Sequence, residues 1–337
     1  MSAVRVAFVT DAGGEAGLGH FKRCLALARA LAARGAQIDV FVSGAVDPTL
    51  AAVAPDVEPQ PLAWWGAPAR VLDALAGRGV DAIVVDSYHA EAALLSALRR
   101  AGLVVAIDDL ADRALVADAV INGAWHAEQL AYRLPPEAVR LLGPRYALLD
   151  TAFAAAPAGT TRETVRRVLV TLGGATPATQ TAEATAAVHA ALPGAALDVV
   201  GGLGGATPAA GAMTVHGALP SLRPLLAEAD LAVTAGGMTL YECLATGTPT
   251  VAVCLADNQR PNLEHLGAAG LVVPADFATL TATVARVAAD RPLRARMAAA
   301  GRRAIDGRGA ARAADAIARL LAARRGAGAL EARGAKS

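Results

Sequence analysis

Short apolar runs rich in β-branched residues alternate with longer Ala/Leu stretches along the whole chain. The first half carries VRVAFV, IDVFV, AIVVD and LVVAI, and the second carries RVLVTL, LDVV, DLAVTA and TVAVCL. Nearly every position in these runs is apolar, with no in-out alternation, which predicts strands buried on both faces. Such strands separated by helical stretches are βαβ units, and two series of them predict two doubly wound, parallel-sheet lobes. The small, polar stretch AAAPAGTTRET at 154–164 is the expected boundary, with one lobe over residues 1–153 and the other over 165–306. From about residue 276, RPLRARMAAAGRRAI and ARAADAIARLLAARR put Arg on one helical face and Ala, Leu or Ile on the other. They predict a covering helix layer, closed by a terminal helix at 307–325. The final GAGALEARGAKS, 326–337, has no burying pattern and is expected to be disordered.

Composition narrows the partners. The chain has 337 residues, enough for two separately cored domains, and 31 Lys+Arg against 30 Asp+Glu leave a net charge of +1. No basic block interleaved with aromatics supports a grip on nucleic acid, so a small-molecule partner is expected. Cys24, Cys243 and Cys254 are odd in number and widely spaced, which argues against a disulfide framework and a zinc site and fits a reducing cytoplasm. MSAVRVAFVT runs straight into a strand without the features of a signal peptide. The long apolar stretch after residue 182 is interrupted by Glu183, His189, Pro193 and Asp198, so no membrane span is expected.

Candidate chemistry sits where strands end, since ligands of open α/β sheets bind beyond the carboxyl ends of the strands and a cleft between two lobes collects both sets. The first such turn is GLGHFKR. Gly17 and Gly19 begin a dinucleotide fingerprint, but its third glycine is replaced by Lys22 and the acidic Asp39 lies inside a strand. No Gly-Lys-Ser/Thr follows, which excludes a P-loop. The turn does place His20 at the start of a helix running to about Arg34, with Gly35 as its stop. Positive potential at a helix N-terminus favours a neutral imidazole, so the expected pKa is at or below 6.5 and the ring can act as a base. Arg23 lies one turn on, on the same face, as a substrate contact or a surface cation.

In the second half, TAGGMTLYECLATGTPTVAVCLADNQRPN carries most information. A strand ends at Ala235, Gly236 and Gly237 make a turn, and a helix opens near Met238. Amides at such a turn point at an anion, so a diphosphate can dock there without basic side chains. Glu242 follows one helical turn later, where a carboxylate can accept hydrogen bonds from both ribose hydroxyls. Gly247 ends the helix. Gly173 and Gly174 end another strand of the same lobe. Asp108 and Asp109 in IDDL lack the further ligands that a metal pair needs, leaving fold-stabilising or substrate contacts.

GLGHFKR, VVDSYH, AIDDL, ADAVIN, LLGPRYALLD, TLGGAT and the AGGMTLYECLATGTPT…DNQ block occur here in that order. In this the chain resembles the UDP-sugar hydrolases of pseudaminic acid biosynthesis, from the first strand to about residue 270. The second lobe also resembles the nucleotide half of GT-B glycosyltransferases, notably the enzyme that adds N-acetylglucosamine to lipid I. The resemblance implies a GT-B fold, two Rossmann-like lobes facing a cleft. It also implies hydrolysis of UDP-2,4-diacetamido-2,4,6-trideoxy-β-L-altrose to free sugar and UDP, with inversion at the anomeric carbon and neither metal nor cofactor. Carried over residue by residue, His20 is the base acting on water. Asp86 and Tyr88 lie near the sugar and Glu242 binds ribose; with them, Gly17, Gly19, Arg23, Asp109, Asn258 and Gln259 are the expected substrate contacts. The turn amides at Gly173, Gly174, Gly236, Gly237 and Met238, together with Glu242, are expected to hold UDP. Two departures stand out: the family's Gly-Gly-Thr-Asp reads Gly173-Gly174-Ala175-Thr176, and its Ser-rich stretch before the histidine turn reads DAGGEA.

Two alternatives share this architecture. A glycosyltransferase would pass the sugar to an alcohol instead of water, and Trp64-Trp65 is the short candidate for the apolar patch that meets a lipid acceptor. A non-catalytic nucleotide-sugar binding module would be expected to keep Glu242 and lose His20; both are present.

Overall fold

The computed structural model describes residues 3–13, 17–43, 46, 48–155, 161–201, 203 and 212–334. Residues 14–16 of the DAGGEA stretch, 156–160 of the expected linker and 335–337 at the end lie outside the described residues.

The first lobe is built on β1 (Arg5–Thr10), β2 (Gln37–Val42), β3 (Gln60–Pro61), β4 (Ala82–Asp86), β5 (Leu103–Ile107), β6 (Ala119–Asn122) and β7 (Val139–Leu142). They form one sheet in the order β3-β2-β1-β4-β5-β6-β7, every pair parallel. The second lobe holds β8 (Arg167–Thr171), β9 (Ala196–Val200), β10 (Met213–His216), β11 (Leu231–Ala235), β12 (Thr250–Val253) and β13 (Val273–Ala275). Their order, β10-β9-β8-β11-β12-β13, is again wholly parallel. Each sheet reverses its winding once, between β1 and β4 and between β8 and β11. Such a switch point opens a crevice at the strand ends.

The helices are α1 (Gly19–Ala32), α2 (Pro48–Val53), α3 (Ala69–Leu75), α4 (Ala92–Arg99), α5 (Ala178–Ala191), α6 (Arg223–Glu228), α7 (Met238–Thr246), α8 (Arg260–Ala268), α9 (Leu280–Ala289), α10 (Arg291–Ala304) and α11 (Gly309–Gly334). Helices cover both faces of each sheet, which is why the strands are apolar throughout. The terminal helix returns to the first lobe: Ala310, Ala313, Ala314, Ile317 and Leu321 pack into the same core as Val6, Leu25 and Leu31 of β1 and α1. An Arg34–Asp315 ion pair at 2.6 Å flanks that contact. α11 also continues to Gly334, where the sequence suggests disorder from residue 326; Ala, Leu, Glu and Arg are strong helix formers and extend a helix already nucleated by packing. No described helix is long and apolar enough to cross a membrane.

Candidate active site

Both switch points open onto one cleft of about 1190 Å³, lined by His20, Tyr88 and Asp109 from the first lobe and by Gly237, Met238 and Glu242 from the second. The lobes meet closely at the histidine turn. Gly17 is left-handed (φ +64), and a Cβ there would come within 3.1 Å of the Ala175 side chain across the cleft. A Cβ on Gly174 would come within 3.0 Å of Leu18. Glycine at these positions lets the first-lobe turn and the β8 turn touch. Gly19 has open space instead and also lines the cleft.

His20 and Arg23 are three residues apart on α1, so they share a face, and that face is turned to Asp86 at the end of β4. His20 Nδ1 is 2.6 Å from Asp86 Oδ1. Arg23 donates from Nε and Nη2 to the two Asp86 oxygens, each at 2.6 Å, and from Nη1 to Asp109 Oδ1 at 2.5 Å. The Tyr88 hydroxyl donates to the other Asp109 oxygen at 2.9 Å, and its ring meets His20 edge-on, with centroids 4.8 Å apart. With Nδ1–H committed to Asp86, the lone pair of the neutral ring is on Nε2, the tautomer a general base needs.

The electrostatics correct the expectation for His20. Burial, the largest single influence, pushes its pKa down, but the charge and hydrogen bond of Asp86 outweigh it and hold the ring above its ordinary 6.5. A carboxylate in direct contact is a full charge, whereas a helix N-terminus offers a partial one. Burial likewise pushes Asp86 up, yet Arg23 and His20 prevail and keep its carboxyl well below the usual range. Asp86 has no exposed surface and is not among the residues lining the cleft, so its carboxylate meets the cleft only through His20 and Arg23. Arg23 is buried, which excludes the surface cation; it lines the cleft while its guanidinium holds Asp86 and Asp109.

The IDDL pair splits by function. Asp108 is buried and accepts from the amides of Leu110 (3.1 Å) and Ala111 (2.8 Å), supporting a turn in which Ala111 is left-handed (φ 53). Its other oxygen lies 3.1 Å from Arg113, without hydrogen-bond alignment. Only Asp109 faces the cleft. The described residues hold no cluster of three or more candidate metal ligands.

On the second lobe, β11 ends at Ala235 and α7 begins at Met238, with Gly247 closing the helix in the left-handed region (φ 72). The amides of Gly237 and Met238 donate to no described protein group, and both residues line the cleft. Gly236 differs from the expectation: its N–H donates to Gln259 Oε1 at 3.2 Å, and the same oxygen accepts from Leu255 at 3.1 Å. Gln259 therefore ties the β11 turn to the end of β12, and a Cβ on Gly236 would collide with it at 2.7 Å. Asn258 is exposed in the cleft and approaches the Tyr88 hydroxyl from the opposite lobe. The Glu242 carboxylate is half-buried, accepts no hydrogen bond among the described residues and is raised in pKa by that burial, with Lys22 of α1 pulling it back. An unpaired acceptor held this way is ready for ligand hydroxyls. Glu242→Ala is expected to weaken UDP binding by about 1 to 3 kcal/mol without altering the fold, measured by titration calorimetry; unchanged affinity would place the ribose elsewhere.

Several cleft residues escaped the sequence reading, Asp11 directly after β1, His89 after β4 and His126 after β6, and Trp65 after β3 was read only as part of a candidate acceptor patch. All but His126, four residues past β6, and Trp65, in a longer loop, lie within three residues of a strand end, a signal the sequence did contain. His126 stacks on His265 of α8 in the other lobe, with centroids 5.1 Å apart. Beside it, Trp125 donates its N–H to the Tyr241 hydroxyl of α7 at 2.8 Å, a second tie between lobes.

No family model matches the chain. A curated relative, the spore coat polysaccharide biosynthesis protein SpsG of Bacillus subtilis (strain 168), is 25% identical, over 91% of this chain and 95% of its own. Among solved structures, Arabidopsis thaliana UGT89C1 complexed with UDP superposes with a TM-score of 0.68 at 15% identity, covering 94% of this chain and 99% of that one. Acinetobacter baumannii MurG gives 0.64 at 17%, covering 94% and 99%. The glycosyltransferase SsfS6 of Streptomyces sp. SF2575, complexed with thymidine diphosphate, gives 0.57 at 16%, covering 90% and 97%. The chain thus has the GT-B architecture, two Rossmann-like lobes facing a shared cleft.

Proposed function

We propose that this chain hydrolyses a UDP-linked sugar, with His20 activating water against the anomeric carbon. The observation that carries the reading is the pairing of an oriented His20–Asp86 dyad on one wall with an unpaired Glu242 and free α7 amides on the other. Similar structures that hold UDP or thymidine diphosphate support a nucleoside diphosphate as the ligand. The sequence resemblance supplies the finer identity, UDP-2,4-diacetamido-2,4,6-trideoxy-β-L-altrose.

In this reading UDP docks on the second lobe, diphosphate at the amides of Gly237 and Met238 and ribose at Glu242. The sugar reaches the first lobe. Water between His20 Nε2 and C1 loses its proton to the ring as its oxygen bonds C1; the C1–O bond to phosphate breaks and the electron pair leaves on UDP. UDP is already a good leaving group, so holding its charge suffices on that side. The helix N-terminus contributes about 0.3 to 1 kcal/mol, up to about 2 when partly buried. The base adds roughly 10²- to 10⁴-fold, with in-line orientation beyond that.

Incubation with the nucleotide sugar in ¹⁸O water, without any acceptor, is the test. UDP should appear, with label in the sugar only and the first-formed anomer inverted. Label in UDP would mean P–O cleavage and overturn the mechanism. Release of UDP only after an alcohol is added would identify a glycosyltransferase, the activity named for several similar structures.

A further inference from the structure

Trp64 and Trp65 are neighbours with opposite fates. Trp64 is 1% exposed, buried in the core with Val9, Phe41 and Val71, whereas Trp65 is 46% exposed and lines the cleft. Burying the first ring anchors the loop after β3, and the next side chain is turned to the opposite side. Trp65 is nevertheless held in place. Its Nε1–H donates to Asp11 Oδ1 at 3.0 Å, and its ring lies against His89, with centroids 4.2 Å apart and planes 37° apart. Asp11 follows β1 and His89 lies three residues beyond β4, strands that pair with Thr10 opposite Asp86. The indole is therefore pinned to the strand ends that carry the His20 dyad and Tyr88.

Among the described residues, the large hydrophobic side chains with high exposure are Val46, Trp65, Tyr88 and Val215, and all but Val46 line the cleft. Exposed apolar surface gathered in one concavity marks a binding site. An indole whose polar edge is already paired offers its face, not a hydrogen bond. That face carries negative charge density and attracts the weakly positive C–H face of a sugar ring or a methyl group.

We propose that Trp65 is the stacking platform of the sugar subsite, selecting sugars whose face carries methyl or acetamido groups. The inference rests on the nucleotide-sugar reading above and deepens it. Stacking on Trp65 places one face of the ring, while the Tyr88 hydroxyl, Asp109 and Asn258 surround the cleft with polar partners for its rim. The twin tryptophans then serve the sugar and not a membrane.

The test uses the full chain carrying His20→Asn, to stop turnover, with tryptophan fluorescence as readout. UDP-2,4-diacetamido-2,4,6-trideoxy-β-L-altrose should change the emission, UDP alone should not, and Trp65→Phe should abolish the response. In the otherwise native chain, Trp65→Ala should raise KM about tenfold with a smaller change in kcat, since it removes ring contact without touching the base. An equal response in Trp65→Phe, or an unchanged KM in Trp65→Ala, sinks the platform and leaves the nucleotide site standing. Failure of UDP itself to bind in calorimetry removes the nucleotide-sugar reading, and the platform with it.

Discussion

Replacing His20 by Asn is expected to lower kcat by roughly 10²-fold or more while leaving UDP affinity unchanged. The two effects separate because base and nucleotide site lie on different lobes: His20 belongs to α1, and the amides and carboxylate assigned to UDP belong to α7. Asn is close to imidazole in reach and can still hydrogen-bond Asp86, but it cannot take the proton from water. The native pH profile adds a second check. Only the neutral ring is a base, so kcat/KM should fall as pH drops through the His20 pKa. Asp86 holds that pKa above 6.5 despite burial, which places the acid limb above 6.5 instead of at or below it. The sign for stability is the reverse. A folded pKa raised above the unfolded one contributes stability that is fully present below about 6.5 and is lost as pH rises through the folded pKa. An acid limb below 6.5 would show that the 2.6 Å contact with Asp86 does not govern the ring, and a fully active His20→Asn would reduce the turn to a structural corner.

The central strands were legible because strands buried on both faces are apolar at nearly every position: the eight quoted runs fall on β1, β2, β4, β5, β8, β9, β11 and β12. The short edge strands β3 and β13, of two and three residues, are too brief for any pattern to register. Positions of candidate chemistry were legible for the same reason, since glycine turns directly after strands mark where backbone and ligand can meet. Partnerships were not. His20 and Asp86 are 66 residues apart and touch only because β1 and β4 are neighbours, a matter of strand order that spacing does not reveal. The same gap hid the Gln259 side chain's role under Gly236 and sent the expectation for His20 to the helix N-terminus alone. Amphipathicity likewise predicted that α11 covers something, and only the packing of Ile317 and Leu321 shows that it covers the first lobe.

Asp86 is where the largest loss of stability is expected. Its carboxylate is wholly buried and receives both forks of Arg23 as well as the His20 ring. Asp86→Ala strands a buried guanidinium that keeps Asp109 as its one acidic partner among the described residues, and breaking a buried pair from one side costs about 3 to 5 kcal/mol. Denaturant unfolding at neutral pH should show a drop of that size. Asp86→Asn keeps the shape but replaces an oxygen acceptor with an NH2 donor, which must face either Arg23 Nε or the Arg23 Nη2 and His20 Nδ1–H pair; all of these already donate. If the amide oxygen turns to Arg23 Nε, the NH2 takes the place facing His20 and favours the tautomer with its lone pair on Nδ1. The base then points the wrong way, and kcat should fall by about 10² to 10⁴-fold, with UDP affinity intact. The pH dependence discriminates this from a general packing defect. Because the folded pKa of Asp86 is depressed, its stabilisation is fully present above the unfolded value of about 3.8 and is lost progressively as pH falls from there toward the far lower folded pKa. The stability gap between native and Asp86→Asn chains should therefore narrow as pH is lowered below about 4, where Asp86 of the unfolded chain takes up its proton while the folded carboxylate stays ionised. A gap that stays constant through that range, or an Asp86→Ala loss under about 1 kcal/mol, would show that the charge on Asp86 holds neither Arg23 nor His20 in place.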